Sequence, residues 1–124
     1  MNVVDSSGWL EYFSKGGNAE FFSATIQDTE NLLVPTISIY EVFKRILIQL
    51  DEVAALQSVG IMSLGITVDL TQEIAINAAK ISNDLRIAMA DSVILATARA
   101  HDATLWTQDV DFEGIKGVEY VCKN

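Results

Sequence analysis

The sequence contains little cysteine and proline, and its hydrophobic runs are short. A single cysteine, Cys122, among 124 residues excludes an internal disulfide framework, and no group of cysteines and histidines has the spacing of zinc ligands. One proline and seven glycines are too few for a collagen-like or low-complexity chain. No apolar run approaches the ~20 residues of a membrane span, and the first residues lack the basic and apolar regions of a signal peptide. We therefore expect a cytoplasmic protein that does not associate with membranes.

Basic residues are also scarce. Eight Lys and Arg against 17 Asp and Glu give a formal net charge of −9 and a pI near 4.3. Such a protein repels phosphate backbones at long range, so it binds nucleic acid only if metal ions or a local basic strip overcome this field. Half of the residues are apolar, and no linker or repeat divides the chain. We therefore expect one folded domain over residues 1–124, which at this length buries roughly two thirds of its extended surface.

Short apolar runs alternate with amphipathic segments along the chain. The pattern predicts strands over residues 2–5, 32–34 (closed by Pro35), 66–68, 104–107 and 118–121. It predicts helices from Trp9 to Phe13 after a break at residues 6–8, from the cap residue Asn18 to Gln27, and over residues 38–50, 51–62, 71–84 and 90–101. This alternation indicates an α/β fold with a mostly parallel five-stranded sheet sandwiched by helices.

Acidic residues follow the predicted strands. Asp5 closes the first strand, and Asp109 and Asp111 follow the fourth. Glu41 lies about one turn into the helix after the second strand, and Asp91 lies at the start of the helix before the fourth. Because ligands of open parallel sheets bind at the carboxyl ends of the strands, we expect these carboxylates to face one rim.

Each acid also has a purely structural interpretation. Residues 38–41 have the pattern of a capping box, in which Glu41 only satisfies a backbone N–H. Asp91 is favourable at any helix N-terminus, Asp109 and Asp111 are common turn residues, and Asp5 could cap the first helix. Taken together, however, four like charges at one rim repel each other unless a cation neutralises them. Oxygen ligands without His or Cys favour Mg²⁺ or Mn²⁺ over zinc.

Four segments resemble the motifs of a known family. Residues 3–7 with Asp5, residues 38–42 with Glu41, residues 88–98 with Asp91 and residues 103–112 with Asp109 resemble, in this order, the four motifs of PIN-domain ribonucleases. The resemblance covers essentially the whole chain, and its last two segments are the most specific. Small single-domain proteins of this kind are typically VapC-type toxins of toxin–antitoxin pairs.

The resemblance implies a fold, an activity and partners. It implies a three-layer α/β/α sandwich and Mg²⁺- or Mn²⁺-dependent endonucleolytic cleavage of RNA, often tRNA or ribosomal RNA. It also implies a homodimer and a cognate antitoxin whose C-terminal segment occupies the groove. The implied site consists of the metal-binding acids Asp5, Glu41, Asp91 and Asp109. Asp111 is either an additional ligand or a residue that contacts the ligands, and the hydroxyls of Ser6 and Thr107 lie close to the metal.

Other residues have weaker functional interpretations. Arg86, five residues before Asp91, is the best candidate for an RNA contact, although a solvated surface position is the simpler interpretation of any one basic residue. His101, the only histidine, falls at a helix end, where an imidazolium complements the helix dipole, and metal-assisted hydrolysis does not require it as a base. The aromatic residues between Trp9 and Phe22 are interpreted as core residues, with an antitoxin groove as the alternative.

Three other functions remain to be weighed. A receiver-type phosphoacceptor domain needs paired acids after the first strand and a Lys after the fifth, whereas here Asp5 is followed by serines and Val121 by Cys122. A haloacid-dehalogenase-like phosphatase needs Asp-x-Asp after the first strand, which is also missing. A PIN-fold binding module without catalysis stays possible on sequence grounds, although the four acids argue against it.

Overall fold

The computed structural model describes residues 1–123, which form an α/β domain. Its strands are β1 Asn2–Val4, β2 Leu32–Pro35, β3 Ile66–Val68, β4 Thr104–Thr107 and β5 Val118–Tyr120. Its α-helices are α1 Ser6–Phe13, α2 Ala19–Gln27, α3 Thr36–Gln49, α4 Glu52–Met62, α5 Gln72–Leu85 and α6 Met89–Ala100, with short 3-10 turns at Thr29–Asn31 and Val110–Phe112. In this part of the chain, no helix combines the length and the apolar character needed to cross a bilayer.

The five strands form one sheet in the order β3-β2-β1-β4-β5, and every pair of neighbours is parallel. The central strand β1 places Val3 opposite Leu33 of β2 and Leu105 of β4. The chain builds the sheet outward from β1 in one direction and then returns to its other side with β4. The strand order therefore reverses between β1 and β4, which is the place where open α/β sheets bind ligands.

Helices cover both faces of this sheet. Val3 and Leu105 point to one face and pack with α5 and α6. Val4 and Val34 point to the other face, where they pack with α1, α2, α3 and α4. Side chains alternate between the two faces of a strand, so these continuous apolar strands supply both cores. The predicted three-layer sandwich is confirmed, with the sheet fully rather than mostly parallel.

The beginning of the chain differs from the prediction at Asp5. The strand ends at Val4, and Asp5 is the N-cap of a helix that begins at Ser6. The predicted strand over residues 2–5 is therefore one residue too long, and the predicted helix start at Trp9 is three residues too late. The carboxylate of Asp5 explains the early start, because Oδ1 accepts a hydrogen bond of 2.9 Å from the backbone N–H of Gly8.

Two further helices begin in different ways. The helix predicted over residues 51–62 is Glu52–Met62, and Asp51 is its N-cap, since Oδ1 of Asp51 accepts from the backbone N–H of Ala54 at 2.8 Å. Asn18 is the N-cap residue of α2, as predicted, but its side chain makes no capping hydrogen bond. Its Nδ2 donates instead to Oε1 of Gln108 and to the carbonyl of Cys122, both at 3.0 Å. Asn18 therefore joins the start of α2 to the segment after β5.

Candidate metal centre

Asp5 lies at the end of β1 with its carboxylate almost fully buried, since only 2% of the residue is exposed. Four hydrogen bonds hold it: Gly8 N–H and Ser7 Oγ contact Oδ1, and Ser7 Oγ and Thr107 Oγ1 contact Oδ2. Burial raises the pKa of Asp5 from 3.8 to about 6; its hydrogen bonds oppose this rise, and the charge of Asp109 adds to it. Asp5 therefore caps a helix, and its burial also destabilises the charged form of its carboxylate.

Thr107, the last residue of β4, connects Asp5 to the loop that carries Asp109. Its Oγ1 donates to Oδ2 of Asp5 at 2.6 Å and accepts from the backbone N–H of Asp109 at 2.9 Å. Oδ1 of Asp109 in turn accepts from the backbone N–H of Asp111 at 2.9 Å. Asp109 thus has the turn role expected of it, and the same geometry aligns it beside Asp5 across the point where the strand order reverses.

Glu41 reaches the same rim from α3, but not as part of a capping box. The helix begins at Thr36, directly after Pro35, so Ser38 lies inside its first turns and not at the N-cap. Ser38 is completely buried, and its hydroxyl has no hydrogen-bond partner among residues 1–123. The predicted capping box is therefore wrong, and Oε1 of Glu41 instead accepts a hydrogen bond of 2.6 Å from Oγ of Ser6.

Asp91 lies in the first turn of α6 and is half-buried. Burial, followed by repulsion from neighbouring carboxylates, raises the pKa of Asp91 from 3.8 to about 7; in decreasing order of effect these carboxylates are Asp109, Asp5, Glu41 and Asp111. The structure therefore brings the other four predicted acids close enough to Asp91 to repel its charge. A favourable helix N-terminus alone does not account for this arrangement, because it would lower the pKa of Asp91.

Three of the acids are close enough to share an ion. Carboxylate oxygens of Asp91, Asp109 and Asp111 all lie within 4.8 Å of one another. Asp5 and Glu41 lie outside this group but next to it. The donor set is entirely oxygen and strongly negative, which fits a hard divalent cation such as Mg²⁺ or Mn²⁺. A bound cation would also relieve the repulsion that raises the pKa of Asp91.

The acids stand at one end of a cleft of about 1000 Å³. Four of them line it: Asp5, Glu41, Asp91 and Asp109. Asp111 is exposed just outside. Away from the acids, apolar side chains from α1, α3 and α4 line the cleft, namely Leu10, Phe13, Ile46, Ile48, Leu50 and Ile61. The cleft therefore combines a carboxylate end with an apolar end.

Two other candidate residues from the sequence, Arg86 and His101, lie apart from the acids. Arg86 ends α5 in a left-handed conformation (φ 59°), is exposed and does not line the cleft. Its contact with RNA stays a prediction, and its position gives that prediction no support. His101 ends α6, and its Nδ1 lies 2.9 Å from the carbonyl oxygen of Thr97, which accounts for its position without a catalytic role.

The site also includes residues that the sequence did not suggest. Ser7 contacts both oxygens of Asp5, and its position two residues after a helix-capping acid is the local signal that could have identified it. Gln108, between Thr107 and Asp109, is buried and accepts from Asn18. No local pattern predicts the hydrogen bond between Asn18 and Gln108, because these residues are 90 positions apart in the sequence.

Comparisons with known proteins agree with this geometry. Residues 3–118 match the PIN domain family. A toxin–antitoxin complex from Klebsiella pneumoniae has a similar fold, with a TM-score of 0.79 and 24% identity over 96% of each chain. Mycobacterium tuberculosis VapC20, described as a Sarcin-Ricin loop cleaving toxin, gives 0.76 and 16% identity, covering 94% of this chain and 95% of its own.

A third similar structure is FitAcB from Neisseria gonorrhoeae, with a TM-score of 0.73 and 19% identity over 97% of this chain and 96% of that one. No curated protein sequence matches this chain significantly. At these identities the three structures establish the shared fold. Because the family match runs from β1 to the first residue of β5 and the fold agrees with it, the chain belongs to the PIN domain family.

Proposed function

We propose that this protein is a Mg²⁺- or Mn²⁺-dependent endoribonuclease that acts as the toxin of a toxin–antitoxin pair. The observation that carries the proposal is the gathering of four carboxylates at the cleft beside the β1–β4 switch point, since they come from four separate parts of the chain. A cluster of this kind is costly for the folded protein unless a cation occupies it. Membership of the PIN domain family supports a phosphodiester substrate.

As the family resemblance implies, Asp5, Asp91 and Asp109 would hold the main ion, with Glu41 as a direct or water-mediated ligand. Asp111 would be an additional ligand, since its carboxylate lies within 4.8 Å of those of Asp91 and Asp109. A divalent ion held by these residues would lower the pKa of a coordinated water and neutralise charge on a phosphoryl oxygen. Attack of water on phosphorus, in line with the P–O3′ bond, would break that bond and leave a 3′-hydroxyl on the departing strand and a 5′-phosphate on the other.

Hydroxyl groups of the chain hold the carboxylates in position. Thr107 and Ser7 orient Asp5, and Ser6 orients Glu41 through a 2.6 Å hydrogen bond. Outer contacts of this kind fix ligand geometry and raise metal affinity. The serines and the threonine are therefore assigned as positioning residues.

The apolar end of the cleft is proposed as the binding place of the antitoxin. The similar structures from Klebsiella pneumoniae and Neisseria gonorrhoeae support such a partner, the first being a toxin–antitoxin complex. An amphipathic segment could dock its apolar face between α1, α3 and α4 and direct a basic side chain to the acids. The net charge of −9 favours a basic segment. A homodimer is part of the proposal through the family resemblance.

The test is cleavage of total tRNA by the wild type and Asp5→Asn, each with Mg²⁺, with Mn²⁺ and with excess EDTA. Asn is also a good N-cap residue, so the variant is expected to keep α1 and the fold. Discrete cuts by the wild type with metal, and none by Asp5→Asn or with EDTA, would support the nuclease. Cleavage by both proteins with the same metal dependence would overturn the assignment of Asp5.

If the wild type does not cleave tRNA, calorimetric titration with Mn²⁺ distinguishes a nuclease for another RNA from a protein without a metal site. Mn²⁺ binding without cleavage of tRNA leads to a test with ribosomal RNA, and inactivity on both RNAs would indicate a fold kept for binding. No Mn²⁺ binding by the wild type would reject the metal centre itself.

A further inference from the structure

Three of the eight Lys and Arg residues line the cleft: Lys44, Arg45 and Lys123. Two of them follow Glu41 on α3, at the i+3 and i+4 positions, and therefore share its face of the helix. Glu41, Lys44 and Arg45 all line the cleft. One helical turn, about 5.4 Å along the axis, thus separates the carboxylate end from a pair of cations.

Lys44 and Arg45 form no ion pair with the acids beside them in the part of the chain that the structure describes. An acid three or four residues before a Lys or Arg usually pairs with it on a helix surface. Here, however, Glu41 accepts its hydrogen bond from Ser6. Within residues 1–123 no carboxylate lies within 4.0 Å of the Lys44 ammonium or the Arg45 guanidinium, and both residues are exposed. Their N–H donors are therefore free to bind a ligand in the cleft.

An aromatic ring lies beside them. Tyr40 is 59% exposed and also lines the cleft. The Lys44 ammonium lies 5.7 Å from the centroid of its ring, within cation–π range. An exposed aromatic ring next to a cationic strip is the combination that single-stranded nucleic acids bind, with the base on the ring and the phosphate on the cations.

We propose that Tyr40, Lys44 and Arg45 form a nucleotide-binding subsite on α3 for the residue of single-stranded RNA next to the cleaved bond. Lys44 and Arg45 bind the neighbouring phosphate, and the Tyr40 ring stacks on a base. This inference rests on the proposed ribonuclease function and names the chain's own RNA contacts. It also explains how a protein of charge −9 holds RNA, because Lys44 and Arg45 place two positive charges in the same cleft as the carboxylates.

The composition of this subsite favours RNA over a protein as its ligand. A purely protein partner would use the apolar end of the cleft and would not require Tyr40 and the cations next to the acids. Arg is suited to phosphate because its planar guanidinium donates two parallel hydrogen bonds. Both cations lie one helical turn from Glu41. They are therefore placed to bind a phosphate of the same RNA strand that the acids are proposed to cleave.

The test measures RNA binding separately from cleavage. Each variant is placed in the Asp5→Asn background and titrated, with Mg²⁺ present, into a fluorescein-labelled single-stranded RNA of about 12 nucleotides. Binding is followed by fluorescence anisotropy between about 50 and 200 mM salt. The variants are Lys44→Gln, Arg45→Gln, their combination, Tyr40→Leu and Tyr40→Phe. Lys80→Gln, an exposed residue of α5 that does not line the cleft, is the matched control for loss of one positive charge.

The double variant is expected to bind RNA at least ~5-fold more weakly, with the slope of log K against log salt reduced by ~0.7 for each phosphate that the variant no longer neutralises. Tyr40→Leu weakens binding by ~5-fold or more, whereas Tyr40→Phe keeps the stacking ring and binds normally. Mn²⁺ affinity, measured by calorimetry with Asp5 intact, stays unchanged in every variant.

Equal RNA affinities and salt slopes for the double variant and Lys80→Gln would overturn the subsite while leaving a wild type that cleaves RNA in place. Loss of inhibition by an antitoxin with unchanged RNA binding would assign the cations to the protein partner and also overturn it. A wild type that neither binds nor cleaves RNA would instead reject the proposed function, and the subsite with it.

Discussion

The hydroxyl of Thr107 donates a hydrogen bond of 2.6 Å to Oδ2 of Asp5, across 102 positions of sequence. Oγ1 of Thr107 also accepts a hydrogen bond of 2.9 Å from the backbone N–H of Asp109. A single buried hydroxyl thus fixes the distance between the carboxylate after β1 and the loop after β4. Because the two strands are neighbours in the sheet, this contact determines the geometry of the acids on both sides of the switch point.

Replacing Thr107 by Val keeps the shape of the side chain and removes its hydroxyl. We expect the free energy of unfolding to fall by ~1–3 kcal/mol, because buried polar groups lose their partner. We also expect Mn²⁺ affinity to fall by ~10–100-fold, as for other residues that orient a metal ligand. Thr107→Ser restores the hydroxyl and should recover most of the affinity. Equal Mn²⁺ binding by the Val and Ser variants in calorimetry would show that the hydroxyl does not position Asp5.

The metal-free protein is expected to lose stability as the pH rises. The pKa values of Asp5 and Asp91, raised mainly by burial to about 6 and about 7, both exceed the 3.8 of the unfolded chain. The folded state therefore binds these protons more tightly, so their stabilising contribution is complete below pH ~4 and is lost as the pH rises toward ~7. Urea denaturation in EDTA between about pH 4 and pH 8 measures this slope.

Asp91→Asn is the matched control for this pH dependence. It removes one of the two titrating groups and should reduce the slope to the part that Asp5 contributes. Mn²⁺ should restore stability most strongly at the upper end of the range, where the carboxylates are charged. A metal-free wild type that becomes more stable across this range would contradict the raised pKa values.

Ser38→Ala is expected to stabilise the protein by about 1 kcal/mol. The completely buried Ser38 hydroxyl has no partner among the described residues, so its removal relieves a desolvation cost, and Ala also favours a helix interior. A capping box would give the opposite sign, since loss of an N-cap Ser costs about 1 kcal/mol. Ser58→Ala is the control, because Oγ of Ser58 donates to the carbonyl of Ala54 at 3.0 Å. Thermal and urea melts distinguish the two signs.

Gly8→Ala is expected to destabilise the fold by at least ~2 kcal/mol. A Cβ at this position would lie 2.6 Å from Cγ1 of Val4 and 2.7 Å from Cε1 of Phe22, both fully buried. The displaced backbone would also weaken the 2.9 Å hydrogen bond from Gly8 N–H to Asp5. Gly60→Ala in α4 meets no atom within 4 Å and should instead stabilise the helix by ~0.5–1 kcal/mol. Similar unfolding curves for the two variants would contradict the close packing at Gly8.

The fold could be predicted from the sequence because its signals are local. Apolar runs alternate with helical spacing, and β4 over residues 104–107 has the predicted bounds. Asp51 caps α4 because the residues that form this contact are three positions apart. The family could also be recognised from the sequence, because the resemblance rests on short segments in a fixed order. The family match over residues 3–118 confirms it.

The details of the candidate site were less predictable because they depend on distant contacts. Glu41 has the local pattern of a capping box, but Pro35 places the helix start before Ser38, and the partner of Glu41 is Ser6, 35 positions away. Asn18 has the local pattern of a cap, and Gln108 and the carbonyl of Cys122 take its donors instead. Local spacing describes which residues can pair within one element, whereas these partners meet only after the sheet has formed.

The direction of β1 decides where a label can be attached for the measurements above. The strand begins at Asn2 and runs toward Asp5, so Met1 lies at the opposite end of the central strand from the acids. Lys123, in contrast, lines the cleft, and Asn18 anchors the preceding carbonyl of Cys122. We therefore expect an affinity tag or fluorophore before Met1 to leave the cleft accessible to RNA, and one at the other end of the chain, joined to the segment whose Lys123 lines the cleft, to hinder RNA binding.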